Sequence, residues 1–485
     1  MFFSQSEKKK RIWPYVVLVI FLIVFGFSYW GYVALKNLTP EDFLQSEIVQ
    51  KELGGEKANF YLSLTKFLGF DKPMTYLVLF ENNTELRPGG GFIGVYAVLK
   101  IDKGNLQVIK VDGTENLDRN TPADWKPTPP EVLTKHLKVD RWYFRDSNWS
   151  PDFSESAKKA LEFYKAEGGV EADNIDMVVA FTPTVVEKLL DVTGGFTVDG
   201  IEFTADNVTE KLEYEVEYGY GEDGTAFSER KQIIRPFMEV LLTHLQNNLF
   251  SNLSNYENLF MDMTTQKQIM FYSPQAEKQE FLENNDWDGQ VVSTSADYLL
   301  WVDANLASLK TDYAMNRELK YSIRPNGDRY IATVEMIYKH NGKFDWRTSR
   351  YRTYARVFVP VGSEWISTTG AMKWDRTAGA GPTDKGIELG KQWFGAFIAI
   401  EPSQQGNLKF EYYLSAEISQ KIKSGQYDLY IQKQLGTIDH ALTLNLDFGK
   451  NILTAKPAEM KEDWGDMIYK NQTNLREDRQ FSVSF

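Results

Sequence analysis

Thr75-Tyr76-Leu77-Val78-Leu79-Phe80 is a short, nearly continuous apolar run. A strand with one wet face alternates apolar and polar residues; this one offers no polar face, so it is expected to be buried on both sides. Such a strand needs a covering layer above and below, and the flanking sequence supplies candidates. Gly94 to Ile101 and Leu106 to Val111 read as a second and third strand joined by the turn Asp102-Lys103-Gly104-Asn105, and Ile175 to Phe181 as another buried strand. Helical spacing appears over Ser156 to Gly168, over Pro183 to Leu190 before the stop Thr193-Gly194-Gly195, and over Ile233 to Leu249. Strands alternating with helices predict an α/β layered domain over residues 74–315.

Beyond Arg317 the apolar period becomes two. Leu408, Phe410, Tyr412 and Leu414 alternate with polar residues, as do Tyr427, Leu429 and Ile431, and then Leu442, Leu444, Leu446 and Phe448. Pro325-Asn326-Gly327-Asp328 is a hairpin turn between two such strands. Short strands without helices predict an all-β sandwich over 316–485, with Phe481 to Phe485 returning as an edge strand.

Upstream, Ile12 to Leu35 carries no charge, a run long enough to cross a hydrocarbon core of roughly 30 Å as a helix. Lys8, Lys9, Lys10 and Arg11 precede it, which places a tail of residues 1–11 in the cytoplasm and everything later outside. Trp13 and Tyr15 at one end, with Tyr29, Trp30 and Tyr32 at the other, suit the two interfaces. A cleaved signal peptide would have a shorter apolar core and a small-x-small site, and neither is visible. The expectation is a single-pass transmembrane helix at 12–35 in the cell membrane, followed by a helical stalk over 36–73 that starts at Thr39-Pro40-Glu41-Asp42 and breaks at Gly54-Gly55.

Composition narrows the chemistry. The 485 residues include no cysteine, which excludes disulfides, thiolate zinc sites and a cysteine nucleophile, and suits an exported bacterial protein. A formal net charge of −13 argues against nucleic acid as a partner. The four histidines, His136, His244, His340 and His440, have no metal-ligand spacing, so neither a zinc site nor a histidine triad is expected.

Three clusters carry candidate chemistry. Glu81-Asn82-Asn83-Thr84-Glu85-Leu86-Arg87-Pro88-Gly89-Gly90-Gly91-Phe92 follows the first buried strand, where glycine amides and an arginine fork can hold an anion; a tight turn with Arg87 paired to a neighbouring acid uses the same residues. Arg145-Asp146-Ser147-Asn148-Trp149-Ser150-Pro151-Asp152-Phe153 offers oxygen ligands for Mg²⁺ through Asp146 and Asp152, or else Asx-turn and capping groups. Ser228-Glu229-Arg230-Lys231-Gln232 opens a long helix, where cations oppose the macrodipole unless an anion joins them or solvent covers them.

At these residues the chain resembles a bacterial family known as domain of unknown function 4012. The matching motifs are Asn83-x-Glu85-Leu86-Arg87-x-Gly89-Gly90-Gly91-Phe92-Ile93-Gly94, Arg145-Asp146-x-Asn148-Trp149-Ser150-Pro151-Asp152-Phe153, Leu189-Leu190-x-x-Thr193-Gly194-Gly195, Tyr354-x-Arg356-Val357-x-Val359-Pro360 and Ile431-Gln432-Lys433-Gln434-x-Gly436-Thr437. More faintly, the order of elements is similar to the LytR-CpsA-Psr family, membrane-anchored enzymes that transfer polyprenyl-pyrophosphate-linked glycopolymers onto peptidoglycan. Leu77 to Arg87 resembles that family's first loop, Gly94 to Thr114 its hairpin, Leu189 to Val198 its glycine-pair segment and Phe227 to Gln232 its arginine-rich helix start. Val111-Asp112-Gly113-Thr114 stands where that family has Arg-Asp-Thr, so one pyrophosphate-binding arginine is missing.

The resemblance implies an α/β/α domain binding a phosphorylated lipid-linked or wall-linked glycan. If it is an enzyme it is a phosphotransferase, with Arg87, Asp112 and Arg230 as its catalytic residues. Asn83, Glu85, Gly89, Gly90, Gly91, Arg145, Asn148 and Lys231 complete the candidate ligand-binding set, and Asp112 with Asp146 or Asp152 would hold Mg²⁺. The alternative is a non-catalytic envelope scaffold or polysaccharide-binding module.

Overall fold

The computed structural model describes residues 62–222, 229–248, 252–377 and 379–485. The expected transmembrane helix at 12–35 and the stalk as far as residue 61 lie outside them; among the described residues no helix is long and apolar enough to cross a membrane. The chain is mixed α/β with several sheets.

The first sheet is built from β1 (Met74–Arg87), β2 (Gly90–Asp102), β3 (Asn105–Gly113) and β4 (Met177–Phe181), and, after the small hairpin β5 (Phe196–Val198) and β6 (Ile201–Phe203), from β7 (Ile269–Tyr272). Its order is β3-β2-β1-β4-β7, with β1 and β4 parallel and the other neighbours antiparallel. Successive side chains of a strand point to opposite faces, so the apolar run on β1 feeds two cores. Leu77 and Leu79 pack with Phe153, Ala157, Ala160 and Phe163 of α2 (Phe153–Ala166), which follows the short helix α1 (Thr114–Arg119). Tyr76 and Val78 face α3 (Pro183–Thr193), α4 (Val208–Tyr214), α5 (Ile234–Asn247) and α6 (Leu253–Thr265). Pro183 sits in the first turn of α3, where its missing N–H costs nothing.

The remaining strands are β8 (Asp297–Asn305), β9 (Met315–Asn326), β10 (Arg329–His340), β11 (Tyr351–Pro360), β12 (Glu364–Thr369), β13 (Asp384–Glu388), β14 (Lys391–Ile400), β15 (Gln405–Tyr413), β16 (Gln426–Gln432), β17 (Ala441–Asp447), β18 (Thr454–Lys456), β19 (Ile468–Asn474) and β20 (Arg479–Ser484). They form a sheet β12-β15-β10-β9-β17-β19 and a sheet β13-β14-β11-β8-β16-β20-β18. The inward residues of both share one core, with Trp301, Tyr321, Tyr338, Tyr351, Tyr412 and Tyr427 inside it. Two details differ from expectation. β8 lies before residue 316 yet sits at the centre of the second sheet; all nine of its residues are buried, so it carries no period-two signal. β20 is not at the edge, because β18 pairs along its outer side.

Candidate functional site

β1 and β2 pair in register until Asn82, which faces Phe92; the next pair is Leu86 with Gly91, then Arg87 with Gly90. Asn83, Thr84 and Glu85 therefore have no partners on β2 and form a bulge, which turns side chains away from the pleat. The expected glycine loop is the tight end of this hairpin. Its amides are engaged: Gly89 N–H donates to the Asn148 carbonyl at 3.0 Å, and Gly90 and Gly91 lie within the strand pairing. They are not aimed at an anion.

Arg87 points into the joint between the first sheet and the sandwich. It is 4% exposed, with Nε donating to Asp146 Oδ1 at 3.0 Å and Nη1 to the Asn305 carbonyl of β8 at 3.0 Å. Its Nη2 meets Glu85 Oε1 at 3.2 Å. Around it, Gln434 donates to the carbonyls of Arg87 (3.1 Å) and Asp303 (2.8 Å), and Asn83 donates to the Gly436 carbonyl at 2.9 Å. Arg356 donates to the Trp149 carbonyl at 3.0 Å. Four of the five motifs quoted above thus meet one another across this joint, and each satisfies polar groups that the joint removes from water.

The candidate metal ligands do not converge. Asp112 pairs with Lys110 at 2.9 Å and accepts from Asn116 at 2.7 Å. Asp146 lies between Arg87 and Arg145, the latter at 3.6 Å. Asp152 is the N-cap of α2, accepting from the Glu155 N–H at 3.1 Å and the Val291 N–H at 2.9 Å. Among the described residues no group of three acids or histidines can hold a metal, so this donor set does not fit Mg²⁺. Arg145 instead meets Asp118 at 3.3 Å, and Asn148 serves Glu81 at 3.1 Å and the Gly91 carbonyl at 2.7 Å.

What the fold does build is a cavity of about 400 Å³ between the sheet and α3 to α6. Its wall is almost wholly apolar, with Val78, Phe181, Leu189, Phe237, Leu241 and Phe260 among its residues. One end is charged and carries Arg230, Lys231 and Lys310 together with Glu85, Glu213 and Glu217. Arg230 reaches Glu115 at 3.1 Å and Glu217 at 2.9 Å, Lys310 reaches Glu217 at 3.1 Å, and Lys231 contacts Glu115. The anion that joins the cationic helix start is therefore the protein's own. Burial would raise Glu217, but Lys310 and Arg230 overcome it and hold its carboxyl below the ordinary value; Lys231 and Arg230 do the same for Glu115. Burial lowers Lys231, and Glu115 offsets only part of that. Arg230 and Lys231 lie at this end; Arg87 and Asp112 do not line the cavity. Glu115, Glu217 and Lys310 belong to no motif, and nothing in their spacing marks them.

Comparison with known families finds a match over part of the chain. The stretch from 71 to 217 matches a family described as "Protein of unknown function (DUF4012)". That segment holds the bulge, the Asp146 side of the joint and the part of the cavity's sheet wall on β1, β2, β3 and β4, whereas β7, α5, α6 and the cations of the charged end fall after it. No curated protein matches the chain.

Solved structures overlap it only in part. A proposed nutrient binding protein from Legionella pneumophila is 6% identical with a TM-score of 0.25, over 39% of this chain and 71% of that one. An M1 zinc metallopeptidase from Deinococcus radiodurans is 9% identical at a TM-score of 0.17, over 35% of this chain and 42% of that one. Leukotriene A4 hydrolase from Saccharomyces cerevisiae is 9% identical at 0.19, over 36% and 28%.

Proposed function

We propose that this is a single-pass, extracytoplasmic envelope protein whose first domain binds the apolar chain of a phosphorylated amphiphile. A lipid-pyrophosphate-linked glycan is the ligand class. The observation that carries the reading is the cavity: a closed sheet-and-helix core would pack this space, because interiors are close-packed and empty apolar volume costs stability. A volume of about 400 Å³ falls in the usual range of ligand sites, roughly 300–1,000 Å³. Its one charged end supports an anionic head, which would compete with Glu115 and Glu217 for Arg230, Lys231 and Lys310. The faint LytR-CpsA-Psr resemblance at Phe227 to Gln232 supports the same head chemistry, as does the charge-free stretch Ile12 to Leu35 for the membrane.

The reading is one of binding. Transfer chemistry by Arg87, Asp112 and Arg230 would need them at one place, and Arg87 is committed to the joint. The other reading, an envelope scaffold, draws on that commitment, since the motif residues stiffen a two-domain body.

A series of alkyl phosphates of increasing length, each below its micelle concentration, separates the two by calorimetric titration. Each methylene that enters the cavity should tighten binding by up to about 0.8 kcal/mol, about fourfold, until the space is filled. Affinity that is absent or flat with chain length would leave the scaffold.

A further inference from the structure

The charged end of the cavity is bordered by aromatic rings that face outward. On α4 and the π-helical turn Glu215–Gly219 that follows it, Glu213, Val216 and Glu217 line the cavity. Tyr214 and Tyr218, one step round the same helix, are 37% and 49% exposed. Their rings stack at 6.0 Å, and Trp346, from the loop between β10 and β11, stands edge-on to both at 5.6 and 5.7 Å. Arg347 ties that loop to the cavity, with Nε on Glu213 at 2.7 Å and its guanidinium 3.9 Å over the ring of Tyr313, which is 52% exposed. Both domains contribute, so the rim exists only when the joint is closed.

We infer that this rim is the face that docks on a lipid bilayer and admits a lipid chain to the cavity. The inference rests on the binding role proposed above, and three observations carry it. A chain leaving a bilayer for an apolar cavity avoids water only if the opening lies against the membrane. Tyrosine and tryptophan, with an apolar body and a polar tip, suit the headgroup depth. The sequence also limits the distance: residues 36–61, which is 61 − 35 = 26 residues, separate the charge-free stretch from Leu62, and Leu62 packs against the core that holds the cavity wall. Fully extended, that many residues span at most about 90 Å, so this domain stays near the surface it would touch.

The absence of cysteine makes the test direct, because one introduced thiol is labelled alone. The full chain carrying Tyr218→Cys, Tyr313→Cys or Ile387→Cys, the last on β13 and 66% exposed, is labelled with bimane. It is then reconstituted into vesicles of phosphatidylcholine and phosphatidylglycerol doped with doxyl-labelled phosphatidylcholine. Quenching is expected at 218 and 313 and not at 387. Equal quenching at all three sites, none at 218 and 313, or failure of the protein to float with the vesicles overturns the inference. In the unlabelled full chain, Tyr218→Ser with Tyr313→Ser should slow uptake of an alkyl phosphate from vesicles at least fivefold while leaving its affinity in free solution unchanged. Unchanged uptake with normal affinity sinks the docking face alone, whereas lost affinity in the unmutated protein sinks the binding role. If lipid does not quench the bimane at 218 while a soluble oligosaccharide shifts its emission, the rim is a sugar platform and the membrane assignment falls.

Discussion

A Cβ built on Gly90 would lie 2.0 Å from Glu81 Oε2. The glycine is therefore the seat of a wholly buried carboxyl. Burial holds Glu81 well above the usual carboxylate range, against the hydrogen bond from Asn148. The φ of Gly90 is +139°, a conformation side chains rarely adopt.

Gly90→Ala should accordingly cost about 2–4 kcal/mol, from backbone strain and overpacking together, read by denaturant unfolding. Adding Glu81→Ala should recover part of it, because the carboxyl is half of the clash; strict additivity of the two losses would contradict the contact. Glu81→Gln should be tolerated to within roughly 1 kcal/mol at pH 7, since burial already favours the uncharged form of the group it replaces.

Arg87→Ala should destabilise by about 3–5 kcal/mol, the scale for stripping one partner from a buried ion pair, because Asp146 and the Asn305 carbonyl lose their donor. Alkyl phosphate affinity of the folded protein should stay within twofold. Calorimetry should show the joint loosening as two transitions in place of one. A variant that melts normally but loses the ligand would return Arg87 to the binding site.

Glu217→Gln tests the sign of the head group. Glu217 holds both Arg230 and Lys310, and its lowered pKa keeps it ionised at neutral pH. Removing that charge should leave Lys310 and Arg230 without this acid, Arg230 keeping Glu115, and tighten an alkyl phosphate about three- to tenfold by titration, the order of one charged hydrogen bond. It should leave a neutral alkyl glucoside unaffected. Weaker phosphate binding would mean the acid itself faces the ligand.

Asp118 makes stability depend on pH. Burial pushes its carboxyl up to about 8; Arg145 pulls it down and Glu167 pushes it further up. An unfolded aspartate titrates near pH 4, so between about pH 4 and 8 the folded protein keeps a proton that the unfolded chain releases. This contribution is complete below about pH 4, is lost as pH rises, and levels off beyond about pH 8. Asp118→Asn should flatten that decline in melting temperature and make the variant the more stable of the two at pH 9. An unchanged slope would place the proton elsewhere.

Much of the architecture was legible because its causes are local. Thr75 to Phe80 has no polar face, so it had to be a strand covered on both sides. Pro183 opens a helix and Asn326-Gly327 closes a hairpin through their own backbone preferences. Asp152 caps α2 with the chemistry its residue type offers.

Partners were not legible, because they are set by distance in space. Asp146 is 59 residues from Arg87 and Asn305 is 218 residues away, so an arginine suited to an anion in sequence became a tie between the first sheet and the sheet that holds β8. The bulge at Asn83 to Glu85 arises only when β1 pairs with β2, and the pairing of Arg230 with Glu115 and Glu217 only when α1, the turn after α4 and the approach to α5 are brought together. The cavity is less local still. Residue types and periods determined which faces would be apolar; whether those faces close on one another or leave a space between them depends on how the sheet and four helices sit, and only the tertiary structure decides that.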